Sequence, residues 1–195
     1  MRSADSASIY GYLQVENLSP QADDDVGNSG PWVGGYLLVT VTGRPLEFHC
    51  TAPVTASHAQ QILYGKSLRR FLFGEHLGTS LVKRAKLRPS LLMISDSEAA
   101  AVGRAVAAPT VLLPTEEVAE APFGATRLSE LACEAWLLSR DSTVDEQQTV
   151  VEAVQQFATA VDLKEPFERI REAIGEAQQA IASADEQGAP RDVAA

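Results

Sequence analysis

The sequence predicts an α/β fold, with a mixed sheet of about five strands followed by two or three C-terminal helices. Two segments of alternating apolar residues, joined at Gly43-Arg44, indicate an antiparallel hairpin. Two short, continuous apolar runs on either side of an alanine-rich helix indicate a parallel βαβ unit. Apolar residues at helical spacing then dominate the last third of the chain.

The first strand is predicted at Ile9 to Val15, where tyrosines and aliphatic residues suit a pleated surface. Residues 17–35 follow as a long loop, which two prolines, four glycines and three consecutive aspartates lead us to expect to be mobile. Trp32, near the end of this loop, is expected to anchor it to the core.

The hairpin itself spans Gly34 to Cys50. Gly43 tolerates the positive φ of a tight turn, and Pro45 lacks an N–H group and therefore fits the start of a strand. Alternation predicts that one set of apolar side chains is buried on the sheet: Leu37, Val39, Val41, Leu46 and Phe48.

Helices are predicted between residues 57 and 85, with Gly65 as a break between them. Residues 66–88 form the basic region of an otherwise acidic chain. One interpretation of this region is the charged, solvent-exposed face of two helices. The alternative is a surface that binds nucleic acid or an acidic partner. The candidate partner-binding residues are Lys66, Arg69, Arg70, Lys83 and Arg84.

The βαβ unit consists of a strand at residues 90–95, a helix at 97–107 and a strand at 110–113. Ser95 and Glu98 have the spacing of a capping box, and Asp96 is itself a candidate helix cap. The C-terminal helices are predicted from three apolar stripes, the first of which contains Leu128, Leu131, Ala135 and Leu138. We therefore divide the chain into an α/β domain (1–114), a helical region packed on it (115–184) and a tail (185–195).

Composition restricts the function. A net charge of −10 repels nucleic acid and anionic membranes unless a basic patch is segregated from the remaining surface. Cys50 and Cys133 have neither the number nor the spacing of a disulfide framework or zinc site, so we expect a reduced, cytoplasmic protein. Cys50 is interpreted as a buried, inert thiol. Because its first ten residues lack an apolar segment, we do not expect a secretory signal, and no apolar run approaches the length that a membrane crossing requires.

No catalytic constellation emerges from the residue pattern. His49, His58 and His76 are scattered, and the chain contains neither a phosphate-binding GK[ST] loop nor a GxSxG elbow. The sequence therefore gives no reason to assign a metal or another cofactor.

The predicted order of elements over residues 9–113 resembles the ribonuclease H-like fold, although no sequence motif of that family is present and the 17–35 segment exceeds its short first hairpin. In that family the first strand carries a metal-binding acid, and the strand after the first helical section carries another. Glu16 and Asp96 stand at the matching positions. The C-terminal helices offer no matching acid for the remaining ligand.

These observations favour a non-catalytic interaction or scaffold subunit of a cytoplasmic assembly. Its expected partners are proteins or further copies of the chain, because the net charge disfavours nucleic acid. The first alternative is a divergent ribonuclease H-like, metal-dependent nuclease that uses Asp96 and Glu16. The second is a nucleic-acid-binding module that uses the basic region.

Overall fold

The fold was obtained as a computed structural model, which describes residues 8–19, 30–115, 124–138 and 142–188. These residues form one mixed sheet of seven strands, rather than the five expected. The strands are β1 (Ile9–Asn17), β2 (Trp32–Thr40), β3 (Pro45–Cys50), β4 (Leu91–Ile94), β5 (Thr110–Leu112), β6 (Thr126–Arg127) and β7 (Trp136–Leu137).

The strand order in the sheet is β3-β2-β1-β4-β5-β7-β6. β1 pairs antiparallel with β2 and parallel with β4, and β4 pairs parallel with β5. The predicted βαβ unit is therefore present, with β4 at the centre of the sheet and the hairpin at one side. β7 adds antiparallel to β5, and β6 closes the other edge.

The hairpin turn forms where the sequence predicts it. Gly43 has a φ of 75° and donates its N–H to the Thr40 carbonyl at 2.9 Å, and β3 begins at Pro45. The expected burial of β3 is wrong, because Leu46 is 40% exposed and Phe48 is 37% exposed. β3 is the edge strand, and the helical layer on that side packs against β1 and β2.

Helices occupy both faces of the sheet. They are α1 (His58–Tyr64), α2 (Leu68–Arg70), a π-helix (Phe71–Gly78), α3 (Thr79–Arg84), a 3₁₀-helix (Ser97–Val102), α4 (Gly103–Val106), α5 (Val144–Ala158) and α6 (Glu165–Gly188), with a 3₁₀ turn at Gly65–Ser67. Ser57 begins α1 with a capping box, and Thr143 begins α5 in the same way, as the spacing with Glu146 predicts. No helix in the described part of the chain combines the length and apolar character that a membrane crossing requires.

One face of the sheet is covered by α5 and α6. Tyr10 and Tyr12 of β1 are fully buried there, and their rings lie 4.8 and 5.9 Å from the ring of Phe157. Gly35 of β2 allows α6 to approach, since a Cβ at this position would clash with the Ile170 Cγ2 atom and would lie 3.0 Å from the Ile174 Cδ1 atom. Position 35 is therefore one where the packing of α6 requires glycine.

The other face is covered by the helical segment from α1 to α4. Leu13, Leu38 and Leu92 of the sheet pack against residues of this segment that include Leu72 and Phe73. Trp32 is buried here with its ring centre 4.9 Å from that of Phe73, which fits its expected role as an anchor. The two helical layers and the sheet give a three-layer α/β/α arrangement.

The helix predicted around residues 128–138 is wrong. Residues 126–127 and 136–137 pair as β6 and β7, and the Leu128 N–H donates to the Ala135 carbonyl at 2.9 Å. Residues 20–29, which contain most of the loop expected to be mobile, lie outside the described residues, as does the tail after residue 188. β1 and β2 extend into the segment predicted as loop, so that Leu18 and Pro31 are joined by a backbone hydrogen bond of 3.0 Å.

Candidate functional site

A cleft of about 370 Å³ opens where β1 and β4 end. The two strands are parallel neighbours, so their carboxyl ends reach the same edge of the sheet. Glu16, near the end of β1, and Asp96, two residues after β4, both line this cleft. The structure thus brings together the two acids that the sequence resemblance singles out.

Asp96 begins the 3₁₀-helix that follows β4. Its Oδ1 atom accepts the Glu98 N–H at 2.8 Å, and its backbone is extended, with φ −129° and ψ 131°. Asp96 is therefore the N-cap, and Ser95 is not. The helix predicted at 97–107 is split into the 3₁₀-helix and α4. The Oδ2 atom of Asp96 accepts a hydrogen bond from Arg69 Nη2 at 3.1 Å.

Arg69 is held in place by aromatic rings as well as by Asp96. Its guanidinium carbon lies 5.6 Å from the centre of the Trp32 ring and 5.1 Å from that of Phe73, within the range of cation–π attraction. Arg69 lines the cleft. The other residues of the basic region with candidate partner-binding roles are exposed: Lys66, Arg70, Lys83 and Arg84.

Glu16 is held from two sides. The Gln14 Nε2 amide group donates to its carboxylate, and Arg171 Nε of α6 lies 3.4 Å from Glu16 Oε1. Sequence reasoning missed both Gln14 and Arg171. Gln14 is one of two buried polar residues among those described, a property that no local pattern reveals. Arg171 enters the cleft because α6 packs across β1. The apolar stripe of α6 shows that one face of this helix is buried, but it does not show against which strand.

The cleft therefore pairs each acid with an arginine, Glu16 with Arg171 and Asp96 with Arg69. Such an arrangement is nearly neutral, and it presents guanidinium groups suited to phosphate beside carboxylates suited to cations. The side chains of Arg69 and Arg171 are 41% and 55% exposed, so an incoming anion reaches both.

The ribonuclease H-like fold implies a divalent metal, and the donor set in the cleft fits one such ion. Gln14 lines the cleft, and its Oε1 atom is buried without a hydrogen-bond partner among the described residues. Mg²⁺ is bound by oxygen ligands and often by only one or two carboxylates together with substrate phosphate. Among residues 8–19, 30–115, 124–138 and 142–188, no group of three or more His, Cys, Asp or Glu residues is placed to hold a metal.

Outside the cleft, Glu47 of β3 forms a separate polar contact. It accepts hydrogen bonds from the Lys86 and Leu87 N–H groups at 3.0 and 3.2 Å, and His49 Nε2 lies 3.1 Å from its carboxylate. The hydrogen bond with His49 is the main cause that holds the pKa of Glu47 below its usual value, and the two backbone N–H groups act in the same direction.

The two cysteines are half-buried and free. Cys50 packs against the core on the α6 side, less deeply than expected. Burial raises the pKa of the Cys133 thiol, which keeps it protonated and unreactive at neutral pH. Neither cysteine lines the cleft.

Comparison with solved structures relates this fold to endonuclease V. A variant of the Ciona intestinalis enzyme, bound to DNA containing an inosine followed by a ribo-adenosine, matches with a TM-score of 0.53 and 11% identity over 90% of this chain and 87% of that chain. The Ciona enzyme without that substitution, also bound to DNA, matches with a TM-score of 0.48 and 10% identity, over 88% of this chain and 87% of that chain. Endonuclease V of Bacillus subtilis matches with a TM-score of 0.43 and 9% identity, over 77% of this chain and 73% of that chain. No protein-family model and no curated protein matches the sequence.

Endonuclease V is a nuclease of the ribonuclease H-like fold, so the match at a TM-score of 0.53 supports the fold resemblance found in the sequence. The expectation of a non-catalytic scaffold subunit is wrong, because the structure matched at a TM-score of 0.53 is that of a nuclease. The expectation of a protein partner, with nucleic acid disfavoured, is also wrong, because that same matched structure is a complex with DNA. Net charge misled that expectation, since it does not report how charge is distributed over the surface.

Proposed function

We propose that the protein is a metal-dependent nuclease that hydrolyses phosphodiester bonds in the cleft at the ends of β1 and β4. The single observation that carries this proposal is the position of Glu16 and Asp96 in one cleft at the carboxyl ends of two parallel strands. In α/β sheets this edge is where ligands bind. The fold shared with endonuclease V supports the same conclusion.

Arg69 and Arg171 are the phosphate-binding residues in this proposal. A planar guanidinium donates two parallel hydrogen bonds to a phosphate group, which fixes the orientation of the bound backbone. The contacts of Arg69 with Trp32 and Phe73 limit its motion, so little conformational entropy is lost when it binds. The exposed Lys66, Arg70, Lys83 and Arg84 extend the positive surface along the same helical segment.

Glu16, Asp96 and the Gln14 amide oxygen are the residues that would hold a divalent cation. Such a cation, when bound, supplies Lewis-acid stabilisation of the negative charge that develops on a phosphodiester attacked by water. The backbone N–H of Glu98 and the amide of Gln14 keep the two carboxylates oriented toward the cleft. The residue pattern alone gave no reason to assign a metal, so this cation is proposed from the fold and from the donors that line the cleft.

The arginine pairs make cation binding and phosphate binding depend on one another. Without nucleic acid, Arg69 and Arg171 neutralise the two acids, so a cation has to compete with them. A bound phosphate engages the same guanidinium groups, and this leaves the carboxylates available to a cation. Each ligand should therefore raise the affinity for the other, as thermodynamic linkage requires.

Calorimetric titration of Mn²⁺ tests this coupling, with and without a single-stranded phosphorothioate oligonucleotide that resists cleavage. We expect Mn²⁺ to bind wild type more tightly in the presence of the oligonucleotide, by about 5- to 150-fold, the usual range for coupling between sites. Asp96→Asn and Glu16→Gln should abolish the binding. Arg69→Gln should tighten Mn²⁺ binding without the oligonucleotide and reduce the effect of adding it.

A matched control is Asp145→Asn, which changes an acid in the first turn of α5 outside the cleft. It should leave the titration unchanged. Equal Mn²⁺ binding by wild type and by Asp96→Asn would rule out the proposed cation site. The cytoplasmic location of the protein and its division into domains remain predictions from the sequence.

A further inference from the structure

The π-helix at Phe71–Gly78 is the least ordinary element of the fold. π-Helical segments are rare, are usually limited to one turn, and occur often at functional sites. Here the segment has eight residues and is supported by the Thr79 hydroxyl, which donates to the Gly74 carbonyl at 2.9 Å. Gly74 is required by packing as well, since a Cβ there would lie 2.7 Å from the Ala101 Cβ atom.

This geometry aligns three aromatic rings on the surface. Because a π-helix bonds residue i to residue i+5, Phe71 and His76 fall on the same side of the segment. Their ring centres are 6.0 Å apart and their planes differ by 19°. Tyr64, two helical turns before Phe71, stacks on Phe71 with 4.3 Å between centres and a 23° angle. An ordinary α-helix would place residues 71 and 76 on different sides.

The first and last residues of the row are exposed to solvent. Phe71, in the middle, is half-buried, whereas Tyr64 and His76 are both exposed. Aromatic side chains usually bury their rings in a core, so a row of near-parallel rings with exposed ends is positioned to extend the stack with another planar group.

The electrostatic surroundings identify the class of that group. Residues 58–88 contain seven Lys or Arg residues and one acid, Glu75, in a chain whose net charge is −10. Lys66 and Arg70 lie between Tyr64 and Phe71 in the chain and are exposed. Arg69, next to Arg70, lines the cleft. Aromatic stacking surfaces beside backbone-binding cations are the features with which proteins bind unpaired nucleotides.

We propose that the ring row of Tyr64, Phe71 and His76 stacks an unpaired base of a single-stranded nucleic acid whose backbone continues into the cleft at Arg69. This inference deepens the proposed nuclease function and rests on it, because it specifies single-stranded nucleic acid as the substrate class. Stacking is tolerant of base identity, so the row confers preference for unpaired strands rather than for a sequence.

Fluorescence anisotropy in EDTA, which prevents metal-dependent cleavage, tests the proposal. The probes are a labelled oligothymidine and the same oligonucleotide with abasic sites, which keeps the phosphates and removes the bases. We expect wild type to prefer the base-containing probe by about 5- to 150-fold, the effect of one stacked base. Tyr64→Leu and His76→Leu should each reduce this preference, because leucine occupies part of the same volume but has no planar ring.

Two matched variants separate stacking from other effects. Tyr64→Phe keeps the ring and should keep the preference. Leu63→Ala removes a neighbouring side chain that is 82% exposed and should also leave the preference intact. Wild-type binding of both probes with equal affinity, or a preference that survives Tyr64→Leu, overturns the stacking proposal and leaves the cleft proposal standing. Failure of wild type to bind either probe also overturns the stacking proposal, whereas the cleft proposal, in which a cation strengthens phosphate binding, is decided by the Mn²⁺ titration.

Discussion

Replacing Asp96 with alanine removes two contacts whose contributions to stability are separable. The first is the helix cap, in which Oδ1 accepts the Glu98 N–H at 2.8 Å. Loss of such a cap costs about 0.5–2 kcal/mol. The second is the pair with Arg69 at 3.1 Å, which is partly exposed and is worth about 0.2–1 kcal/mol. Asp96→Ala should therefore lower the free energy of unfolding by about 1–3 kcal/mol.

Asp96→Asn separates the two contacts, because the amide oxygen still caps the helix while the charge that attracts Arg69 is lost. Its cost should not exceed about 1 kcal/mol. Urea denaturation followed by circular dichroism measures both values. For a chain of this length 1 kcal/mol corresponds to about 2–4 °C in Tm, so thermal unfolding gives an independent check.

A double-mutant cycle with Arg69→Gln isolates the pair itself. We expect a coupling energy between Asp96 and Arg69 of about 0.2–1 kcal/mol. Equal destabilisation by Asp96→Asn and Asp96→Ala would refute the capping role. An Asp96→Ala variant with the same free energy of unfolding as wild type would refute a stabilising role for either contact.

The remaining predictions concern stability. Phe157→Ala should cost about 3–5 kcal/mol in urea denaturation, because this ring is fully buried, whereas Phe48→Ala, at 37% exposure, should cost clearly less; equal costs would refute the edge position of β3. Gly35→Ala should cost about 1–3 kcal/mol, since the added methyl group meets Ile170 and Ile174, and an unchanged urea midpoint would contradict the close approach of α6. The lowered pKa of Glu47 means that the unfolded chain binds its proton first as pH falls, so stability is lost from about pH 4.3 downward. Tm measured from pH 7 to pH 3 should fall less steeply in Glu47→Gln, and parallel curves would refute this contribution.

The strands and the hairpin were predictable because their signals are local. Gly43 and Pro45 mark the turn, and the continuous apolar run before Asp96 marks a strand buried on both faces. The burial of Leu46 and Phe48 was not predictable in this way. Alternation shows which side chains share a face, and it does not show whether another layer covers that face.

The segment at 128–138 shows how tertiary pairing overrides a periodic pattern. Four of its apolar residues recur at helical spacing, and of these Leu128 and Ala135 are buried, whereas Leu131 and Leu138 are half-buried. The segment forms a strand instead of a helix because the edge of β5 offers backbone groups with which Trp136 and Leu137 pair. A local pattern contains no information about an open sheet edge elsewhere in the chain.

The candidate site was predictable only in part for the same reason. Glu16 and Asp96 follow from their places at the ends of two strands that the fold resemblance makes parallel neighbours. Arg171 reaches the cleft from a helix more than 150 residues further along the chain, at 3.4 Å from Glu16. The buried Gln14 is recognisable as a site residue only when both neighbours of β1 in the sheet are known.

Cleavage of a labelled single-stranded oligonucleotide, with enzyme in excess, tests the proposed nuclease function most directly. We predict that wild type cleaves in Mg²⁺ or Mn²⁺ and not in EDTA. Asp96→Asn and Glu16→Gln should fold, as shown by circular dichroism, and should lose cleavage by at least about 100-fold, as expected for removal of groups that stabilise transition-state charge. Asp145→Asn, prepared in the same way, should cleave like wild type, which guards against a contaminating nuclease. Cleavage by Asp96→Asn or Glu16→Gln at the wild-type rate, or no cleavage by wild type with either cation, would contradict the account.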